Sequence, residues 1–599
     1  MSARQRWISI FILVLAFALR IAALDLRPAH FDEGVNGSFI DGMRTEGCYR
    51  YDPANYHGPL HFYTLFAGQQ LFGRSLWVMR MPTVLAGTAL IGLMLAFHRF
   101  FAWRTVWISA LAAAISPAMV FYSRYAIHET WLPFFTVLAV YGGFGIVRRE
   151  GRAGDLWAFG IGIAGMILTK ETYLVHWVAA LLALVAMRCL DFLVPLAQRA
   201  QRPRPADLFS GRTPEADVAA VSRHAYFSNR QILTVLTTCT AAVLLFQSGF
   251  GMHWAGVPGM FDTFRLMAAK GTTAEVGHNK EFFYWLKLMA WYEWPALLGL
   301  AAAPLLSLRR SPLPATVLVV AGALLAASGF FSAAIGLPAP DAKDFLDPKL
   351  HLGLMPSLGL WLLACSVGFF AAAPSQSREM RWISLYGLAS FTAYSLIPYK
   401  TPWCIINLLW PFFFTLGQLA ENICKLTDRR IVYTVGAVLA MAPLSDTLRL
   451  NFRRPIEDGN RYAYVHTTLD IDKLLHPIHD LLRTSVSHRQ MRGIVMTEGY
   501  PLLWILNDFP NVSFPAEDGH LEQYDADFLL VPANREEEIE AHLLGIYFKE
   551  PYRQRAGADD GWLYLSAERF ASALPNRTPE FRPRVALPVP DRQSGTPRP

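Results

Sequence analysis

Charged side chains are scarce in this sequence. Only 17% of its 599 residues are Asp, Glu, Lys or Arg, whereas a typical soluble domain contains about 25%. The mean hydropathy is positive, and the chain contains 17 Trp and 40 Phe. This composition excludes disorder over most of the chain. A surface with so few charges favours a protein that faces lipid.

Two kinds of motif are also missing. None of the six cysteines belongs to a C-x-x-C pair, which argues against zinc and redox sites of that type. The formal net charge is +7, but no segment interleaves Arg with aromatic residues as a nucleic-acid groove does. The basic residues lie between apolar segments, where membrane topology accounts for them. We therefore expect membrane lipid, and no nucleic acid, as a partner.

Thirteen apolar segments approach the length of roughly 20 residues that a membrane-spanning helix needs. They lie near residues 7–24, 78–97, 105–121, 130–147, 155–169, 172–190, 232–250, 286–308, 313–336, 351–372, 382–398, 403–423 and 431–449. With a cytoplasmic N-terminus, each of the seven inner segments carries at least two Lys or Arg, as the positive-inside rule requires. Residues 1–450 are therefore predicted to form a polytopic α-helical domain in the inner (plasma) membrane.

The C-terminal region has a different pattern. Short strand-like segments alternate with helix-like ones between residues 493 and 566, which predicts a small extracytoplasmic α/β domain over residues 451–576. The strands are expected near 493–496, 512–514, 527–531, 546–549 and 562–566, and the helices near 501–507 and 536–544. Residues 577–599 are rich in Pro and Arg and are expected to be disordered.

The first outer loop, residues 25–77, contains an acidic pair shortly after the first span. A carboxylate at Asp32 would lie at the membrane surface, where lipid phosphate headgroups also lie. Asp32 is a candidate general base for an acceptor hydroxyl, with Glu33 orienting Asp32 or the acceptor. The alternative is a solvated loop carboxylate. The segment His61–Gly73 is predicted to be an amphipathic helix on the outer interface.

Three basic residues lie at outer helix ends, against the positive-inside bias. They are Arg124, Lys170 and Lys400. Together they would suit a clamp for a phosphate group. Alternatively, each side chain reaches into the lipid headgroups by itself.

Further polar residues of the outer loops are candidates for substrate binding: Asp52, His57, His61, His128 and Glu129. Imidazole and carboxylate groups also suit zinc or manganese, so His57, His61 and Glu33 are weak candidates for a divalent metal site. In the alternative interpretation, His57 and His61 lie on the polar face of an interfacial helix. Both interpretations stay open at the level of sequence.

Several short motifs occur in a characteristic order. They are Asp32-Glu33, Gly58-Pro59-Leu60, Phe72-Gly73, Arg80-Met81-Pro82, Ser116-Pro117, Tyr122-Ser123-Arg124 and Leu168-Thr169-Lys170-Glu171. In this order they resemble the GT-C superfamily of polyprenyl-phosphate-dependent glycosyltransferases, which includes protein O-mannosyltransferases and the aminoarabinose transferase that acts on lipid A. The resemblance implies a GT-C fold with its site at the outer membrane face.

A narrower resemblance involves other elements of the chain. His57-Gly58-Pro59, the segment 397–403 and the segment Tyr500-Pro501-Leu502-Leu503-Trp504 resemble a bacterial and archaeal branch of predicted membrane mannosyltransferases, some of them labelled flippase-activity-associated proteins. One departure concerns the loop after the third span, where the transferases commonly have an Asp after their Arg. Here Arg124 is followed by His128 and Glu129.

The resemblance implies a sugar transfer from a polyprenyl-phosphate donor to a glycan, lipid or protein acceptor. Since phosphate is a good leaving group, no metal or other cofactor is obligatory. The competing interpretation is a non-catalytic protein that assists flipping or polysaccharide assembly. Transporters of that kind often contain inverted repeats and ionisable residues deep in the membrane. This sequence shows no obvious repeat, and its charges collect at helix ends, which favours an enzyme.

Overall fold

The computed structural model describes residues 1–54, 57–193, 227–272, 279–307, 377–457 and 459–583. The predicted spans at 313–336 and 351–372, most of the inner loop 188–230 and the tail from residue 584 lie outside the described residues. The chain forms two compact units. The first contains Met1–Leu26 and Phe39–Ala463, and the second contains Arg27–Ser38 and Tyr464–Pro599.

This division differs from the predicted domains in two respects. The C-terminal part of the second unit begins at Tyr464, whereas the sequence pattern placed the boundary after residue 450. In addition, a short piece of the first outer loop, Arg27–Ser38, belongs to the second unit. That piece contains Asp32 and Glu33, so the predicted acidic pair is part of the same unit as the C-terminal domain.

The first unit is helical. Within the described residues its helices are α1 (Ala3–Ile21), α2 (Phe31–Glu46, whose first half belongs to the second unit), α3 (Pro59–Phe72), α4 (Leu76–Ala96), α5 (Trp103–Ala114), α6 (Pro117–Ser123), α7 (Trp131–Val147), α8 (Ala153–Ile167), α9 (Tyr173–Leu193), α10 (Asn229–Gln247), α11 (Gly256–Thr272), α12 (Tyr284–Tyr292), α13 (Trp294–Ser307), α14 (Arg378–Leu396), α15 (Ile406–Ile423) and α16 (Arg429–Leu448). Helices α2 and α11 were not predicted from the sequence.

Five described helical segments are long and apolar enough to cross a membrane. They are Leu76–Arg99, His128–Val147, Asn229–Gln247, Pro402–Ile423 and Arg429–Arg453. A sixth is formed if α5 and α6 are taken together, and three shorter apolar helices lie at 153–167, 173–189 and 294–304. The length and composition of these helices indicate an integral membrane protein. The predicted number of thirteen spans is not confirmed.

The predicted span 105–121 is not one straight helix. Helices α5 and α6 are bent by 57° at a break that consists of Ile115 and Ser116 and is followed by Pro117. Pro117 has no backbone N–H and cannot continue α5, but it suits the first position of α6. The Ser116 side chain accepts a hydrogen bond from the Met119 N–H at 3.2 Å and so caps α6. Ser116-Pro117 is a typical start of a helix, so the sequence indicated a new helix here. The prediction missed it because the segment is continuously apolar.

Small residues let the helices of the first unit approach closely. Helices α7 and α8 pack together along their length. An added Cβ at Gly162 of α8 would lie 2.5 Å from the backbone nitrogen of Ala139. At Gly142 of α7 it would lie 2.4 Å from the backbone nitrogen of Phe159. Such contacts are typical of helices in membranes, where association depends on close packing.

The second unit contains a five-stranded sheet. Its strands are β1 (Gly493–Val495), β2 (Val512–Ser513), β3 (Phe528–Pro532), β4 (Tyr547–Tyr552) and β5 (Gly561–Ser566). The strand order is β2-β1-β3-β5-β4. β1 runs parallel to β2 and β3, and β5 is antiparallel to β3 and β4. All five predicted strands are present, so the α/β prediction is confirmed.

Helices cover this sheet. They are α17 (Ile471–Thr484), α18 (Leu502–Ile505), α19 (Glu536–Glu540) and α20 (Ala567–Phe570). Buried residues of α17 are spaced three or four apart, at Ile471, Leu474, Ile478 and Leu481. This is the spacing of one helix face, and the face packs with Phe528 and other residues of one sheet face. α17 was not predicted, although its amphipathic pattern is present in the sequence.

The packing of α7 on α8 gives a test. Gly162→Ala should destabilise the protein by about 1–3 kcal/mol, the usual cost of overpacking, because the new methyl group meets backbone atoms. Gly154→Ala is the matched control on the same helix, since an added Cβ there has no atom within 4 Å. Thermal unfolding in detergent should show a lower midpoint for the first variant alone. Equal midpoints would contradict the close contact.

Candidate active site

The acidic pair lies in the first turn of α2, not in a loop. The backbone N–H of His30 donates to the Glu33 carboxylate at 2.9 Å. The His30 Nδ1 in turn accepts a hydrogen bond from the Asp32 N–H at 3.1 Å. This reciprocal pattern resembles a capping box, with His30 before the helix and Glu33 three residues later, except that the ring accepts from the second residue of the helix and not from the third. Glu33 is fully buried, and its carboxylate accepts the His30 N–H at the start of the helix.

Asp32 is in a different situation from Glu33. Its side chain is 37% exposed, and one carboxylate oxygen lies 3.7 Å from His30 Nδ1. A carboxylate in the first turn of a helix is favoured by the positive end of the helix dipole. Of the predicted catalytic pair, Asp32 thus has the more accessible carboxylate. Its role as a base remains a prediction, as does the role of Glu33 in catalysis.

Two motifs that are far apart in the sequence lie side by side in the first unit. The backbone N–H of Gly58 donates to Thr169 O at 3.0 Å, and that of Leu60 donates to Leu168 O at 3.1 Å. An added Cβ at Gly58 would lie 2.1 Å from Leu168 O. The His57-Gly58-Pro59 motif therefore requires Gly58 for this close approach, which places His57 opposite Lys170.

A buried cluster surrounds this contact. We call His57, His128, Glu129, Lys170 and Glu171 the His–Glu–Lys cluster. Lys170 Nζ donates to the Glu129 carboxylate, and Glu129 is 1% exposed. Burial acts against the charged ammonium, but the Glu129 carboxylate outweighs it and raises the pKa of Lys170 above its usual value. Lys170 is therefore a cation that is already paired.

The histidines pack around this ion pair. The rings of His57 and His128 are 3.7 Å apart at their centroids. His128 Nε2 lies 3.6 Å from a Glu129 oxygen, and His57 Nδ1 lies 3.9 Å from a Glu171 oxygen. The His57 side chain is 24% exposed, whereas His128 and Glu129 are buried. The imidazole of His57 is thus the part of the cluster that a ligand reaches most easily.

Arg124 donates hydrogen bonds to carbonyl groups at the C-terminal end of helix α1. Its guanidinium donates to several carbonyls at the C-terminal end of α1, including Arg20 O at 3.1 Å and Ala23 O at 2.7 Å. It also lies 4.6 Å from the centre of the Phe452 ring. The residue is 1% exposed, so its side chain does not reach into the lipid headgroups. A direct contact of Arg124 with phosphate remains a prediction.

Lys400 is buried, and its ammonium group donates to an uncharged backbone carbonyl. Its Nζ donates to the backbone carbonyl of Lys280 at 3.1 Å, and the residue is 2% exposed. Burial lowers the pKa of Lys400 to about 8, although Glu281 acts in the opposite direction. Its ammonium group therefore loses its charge within an experimentally convenient pH range.

The remaining candidates have local contacts. Asp52 is exposed, and its carboxylate accepts a hydrogen bond from the Ala54 N–H at 2.8 Å, as in an Asx turn. His61 is buried in α3, with Nε2 3.1 Å from Ala126 O. In the part of the chain that the structure describes, no group of three or more His, Cys, Asp or Glu is arranged to hold a metal ion. The metal hypothesis for Glu33, His57 and His61 stays a prediction.

The structure thus brings together four of the predicted site residues in one cluster: His57, His128, Glu129 and Lys170. His61 is a neighbour of this cluster, with its ring 5.6 Å from that of His128. Arg124 and Lys400 make contacts of their own, so the three-residue phosphate clamp remains a prediction. Asp32 and Glu33 belong to the second unit.

Sequence reasoning missed Glu293, a buried carboxylate between α12 and α13. It accepts hydrogen bonds from Ser116 Oγ at 2.8 Å, from the Ala118 N–H at 2.7 Å and from the Tyr462 hydroxyl at 3.3 Å. These contacts hold the N-terminal end of α6, whose C-terminal end leads into Arg124. The sequence did contain a signal, because Glu293 lies inside a long apolar run. Ionisable residues within such runs are rare and usually have a function.

Comparison with known proteins agrees with this architecture. Residues 56–196, about a quarter of the chain, match the family described as dolichyl-phosphate-mannose-protein mannosyltransferase. No curated protein sequence matches the chain significantly. The crystal structure of ArnT from Cupriavidus metallidurans in the apo state aligns with a TM-score of 0.52 and 12% identity, covering 95% of this chain and 99% of ArnT. ArnT bound to undecaprenyl phosphate gives 0.50 and 13%, with 94% and 98% covered.

A third similarity is weaker. The Archaeoglobus fulgidus oligosaccharyltransferase aligns over 94% of this chain and 76% of its own, but its TM-score is only 0.37 at 13% identity, so no argument rests on it. The two ArnT structures show that the chain has an ArnT-like GT-C fold. The resemblance to GT-C glycosyltransferases is thereby confirmed, whereas the narrower mannosyltransferase branch is not.

The Glu129–Lys170 pair gives a second test. Removing one partner leaves an unpaired buried charge, which typically costs about 3–5 kcal/mol. Glu129→Gln and Lys170→Met should therefore each lower the thermal unfolding midpoint strongly. The double variant should be more stable than the sum of the two losses predicts, because neither charge is then left unpaired. Additive losses in this double-mutant cycle would show that the two side chains do not interact.

Proposed function

We propose that this protein is an inverting glycosyltransferase that uses a polyprenyl-phosphate-linked sugar. The sugar, a mannose-like hexose or a pentose, would pass to a glycan, lipid or protein acceptor at the extracytoplasmic membrane face. The observation that carries the proposal is the ArnT-like fold, since one ArnT structure contains undecaprenyl phosphate. The match of residues 56–196 to a mannosyltransferase family supports it further.

In the proposed reaction the acceptor hydroxyl attacks the anomeric carbon of the donor. The new bond joins the acceptor oxygen to that carbon while the bond from the carbon to the phosphate oxygen breaks. Asp32 takes the proton of the hydroxyl, and polyprenyl phosphate leaves with the electron pair. Because there is one displacement, the anomeric configuration inverts. Phosphate is a stable leaving group, so we propose that no metal is obligatory.

Cationic side chains are assigned to the phosphate. Lys170, Lys400 and Arg124 are the proposed ligands, as electrostatic stabilisation of a charged leaving group requires. His57, His61, His128 and Asp52 are proposed to contact the sugar or the acceptor. Glu129 then has a supporting role, since it holds Lys170 in place. The competing non-catalytic function would need lipid binding at these residues but no proton acceptor.

The base assignment is tested by Asp32→Asn. This change should lower sugar transfer by at least about 100-fold, a typical contribution of a general base, without altering binding of undecaprenyl phosphate. The assay uses the purified full chain in nanodiscs with undecaprenyl-phosphate mannose and, separately, an undecaprenyl-phosphate pentose. The acceptor class comes from mass analysis of the precursor that accumulates in a deletion strain.

Two different results would refute different parts of the proposal. An Asn variant with full activity would remove Asp32 from the base role. A wild-type protein that binds undecaprenyl phosphate but transfers neither sugar, in a deletion strain with unchanged glycans, would favour the non-catalytic alternative.

Lys400 gives a prediction about pH. With its pKa lowered to about 8, Lys400 is a cation below pH 8 and neutral above it. Affinity for the phosphate group of the donor should therefore fall as the pH rises from 7 to 9. Lys400→Arg should remove this fall, because an arginine stays charged throughout that range. Lys400→Met should bind weakly at every pH. The same decline in wild type and Lys400→Arg would exclude Lys400 as its source.

A further inference from the structure

The first turn of α2 lies directly on the C-terminal part of the second unit. An added Cβ at Gly34 would lie 2.6 Å from the Cα of Pro501, and one at Gly37 would lie 2.3 Å from the Trp504 ring. The Phe31 ring packs edge-on against Tyr500, with centroids 5.5 Å apart. The glycines three residues apart thus form a flat helix face that accepts the segment around Pro501. Two motifs from opposite ends of the sequence meet here.

Other contacts hold the residues before and at the start of the helix. The Thr467 hydroxyl donates to Ala29 O at 2.7 Å. The Arg555 guanidinium lies 5.3 Å from the centre of the Phe31 ring, and its Nε is 2.6 Å from a Glu498 oxygen. The piece 27–38 is therefore attached to the second unit on both sides of Asp32.

His30 links Asp32 to this unit through its imidazole ring. His30 Nε2 lies 2.9 Å from Tyr464 O, and Nδ1 lies 3.1 Å from the Asp32 backbone nitrogen. A carbonyl accepts and a backbone N–H donates, so Nε2 must carry the hydrogen and Nδ1 must offer its lone pair. The two contacts therefore use both ring nitrogens, one as a donor and the other as an acceptor. His30 is 5% exposed, which leaves the ring little freedom to turn.

We propose that His30 is a positioning residue for Asp32, through which the C-terminal unit sets the orientation of the catalytic carboxylate. The inference rests on the proposed function, in which Asp32 is the base. His30 itself takes no proton from the substrate. It connects the backbone of Asp32 to that of Tyr464, so the direction of the Asp32 side chain depends on a residue 432 positions later in the chain. This gives the C-terminal unit a role in catalysis.

Two substitutions separate positioning from simple capping. Asn is a favoured N-cap residue, so His30→Asn keeps an acceptor for the Asp32 N–H but is too short to reach Tyr464 O as well. His30→Ala loses both contacts. Both variants should lower kcat by about tenfold or more, since small misplacements of catalytic groups have large effects. The KM for the donor and the binding of undecaprenyl phosphate should stay within twofold.

The stability of the two variants should differ. His30→Asn keeps the helix cap and should lower the unfolding midpoint less than His30→Ala, which loses the cap and the contact with Tyr464. His479→Asn is the matched control, because His479 is exposed on α17 and the same chemical change there should leave kcat and stability unchanged. A His30→Asn enzyme with wild-type kcat would overturn the proposal and leave His30 as a helix cap only.

A second measurement does not depend on activity. Hydrogen–deuterium exchange of the full chain in nanodiscs should show faster exchange over residues 29–38 in His30→Asn than in wild type, because the link to Tyr464 is lost. Equal exchange would refute the link. If Asp32→Asn is fully active while exchange increases in His30→Asn, the base assignment fails but the link stands. The two failures are thus distinguishable.

Discussion

Helix ends inside this protein must find hydrogen-bond partners without help from water, and this constraint determines where its buried charges lie. The last carbonyls of a helix have no partner within the helix, and an unsatisfied polar group in an apolar environment costs several kcal/mol, roughly 2–7. At the end of α1, the Arg124 guanidinium donates to the carbonyls of Leu19, Arg20, Ala22 and Ala23. Nearby, Arg80 donates to Leu24 O at 2.7 Å. Arg20 does the same for carbonyls of α5, beside the break before α6.

At the N-terminal end of a helix the groups without a partner are N–H donors, so carboxylates take the place of the cations there. Glu293 accepts the hydrogen bonds at the start of α6, and Glu33 accepts one at the start of α2. Charges at helix ends are favourable when they complement the helix dipole, which is the case for every residue named here. A charge at an outer helix end is thus no proof of a ligand site. Arg124 and Glu33 are predicted site residues, yet the hydrogen bonds described for them are with backbone groups of the chain itself.

Much of the architecture was predictable from local patterns. Apolar runs predicted most of the long helices, and alternation of strand-like and helix-like segments predicted the sheet of the second unit. The order of short motifs predicted the fold, although each motif alone is weak. The failures have physical reasons. Helix α2 was missed because Gly34 and Gly37 suggest a loop, whereas they serve the contact with Pro501 and Trp504.

The site was less predictable than the fold, because its contacts are distant in sequence. The Glu129 and Lys170 side chains are 41 residues apart, and no spacing rule connects them. The residue types at 57, 128, 129 and 170 predicted polar chemistry, but only the pairing of 57–60 with 168–170 shows that they share one cluster. The sequence likewise assigned Asp32 to the transmembrane domain, because chain order does not reveal that Arg27–Ser38 belongs to the second unit.

The pairing of charges also decides which cation attracts an anion most strongly. Lys170 and Glu129 together carry no net charge, so their combined field falls off quickly with distance, although the ammonium group has three donors and only one is used by Glu129. An incoming phosphate would have to share Lys170 with Glu129. Lys400 donates to the neutral carbonyl of Lys280, and its positive charge is therefore less compensated. In a proposed clamp made of both, Lys170 would supply directed hydrogen bonds and Lys400 most of the attraction, because no carboxylate is hydrogen-bonded to Lys400 among its described contacts, while Glu281 acts on it only through its charge.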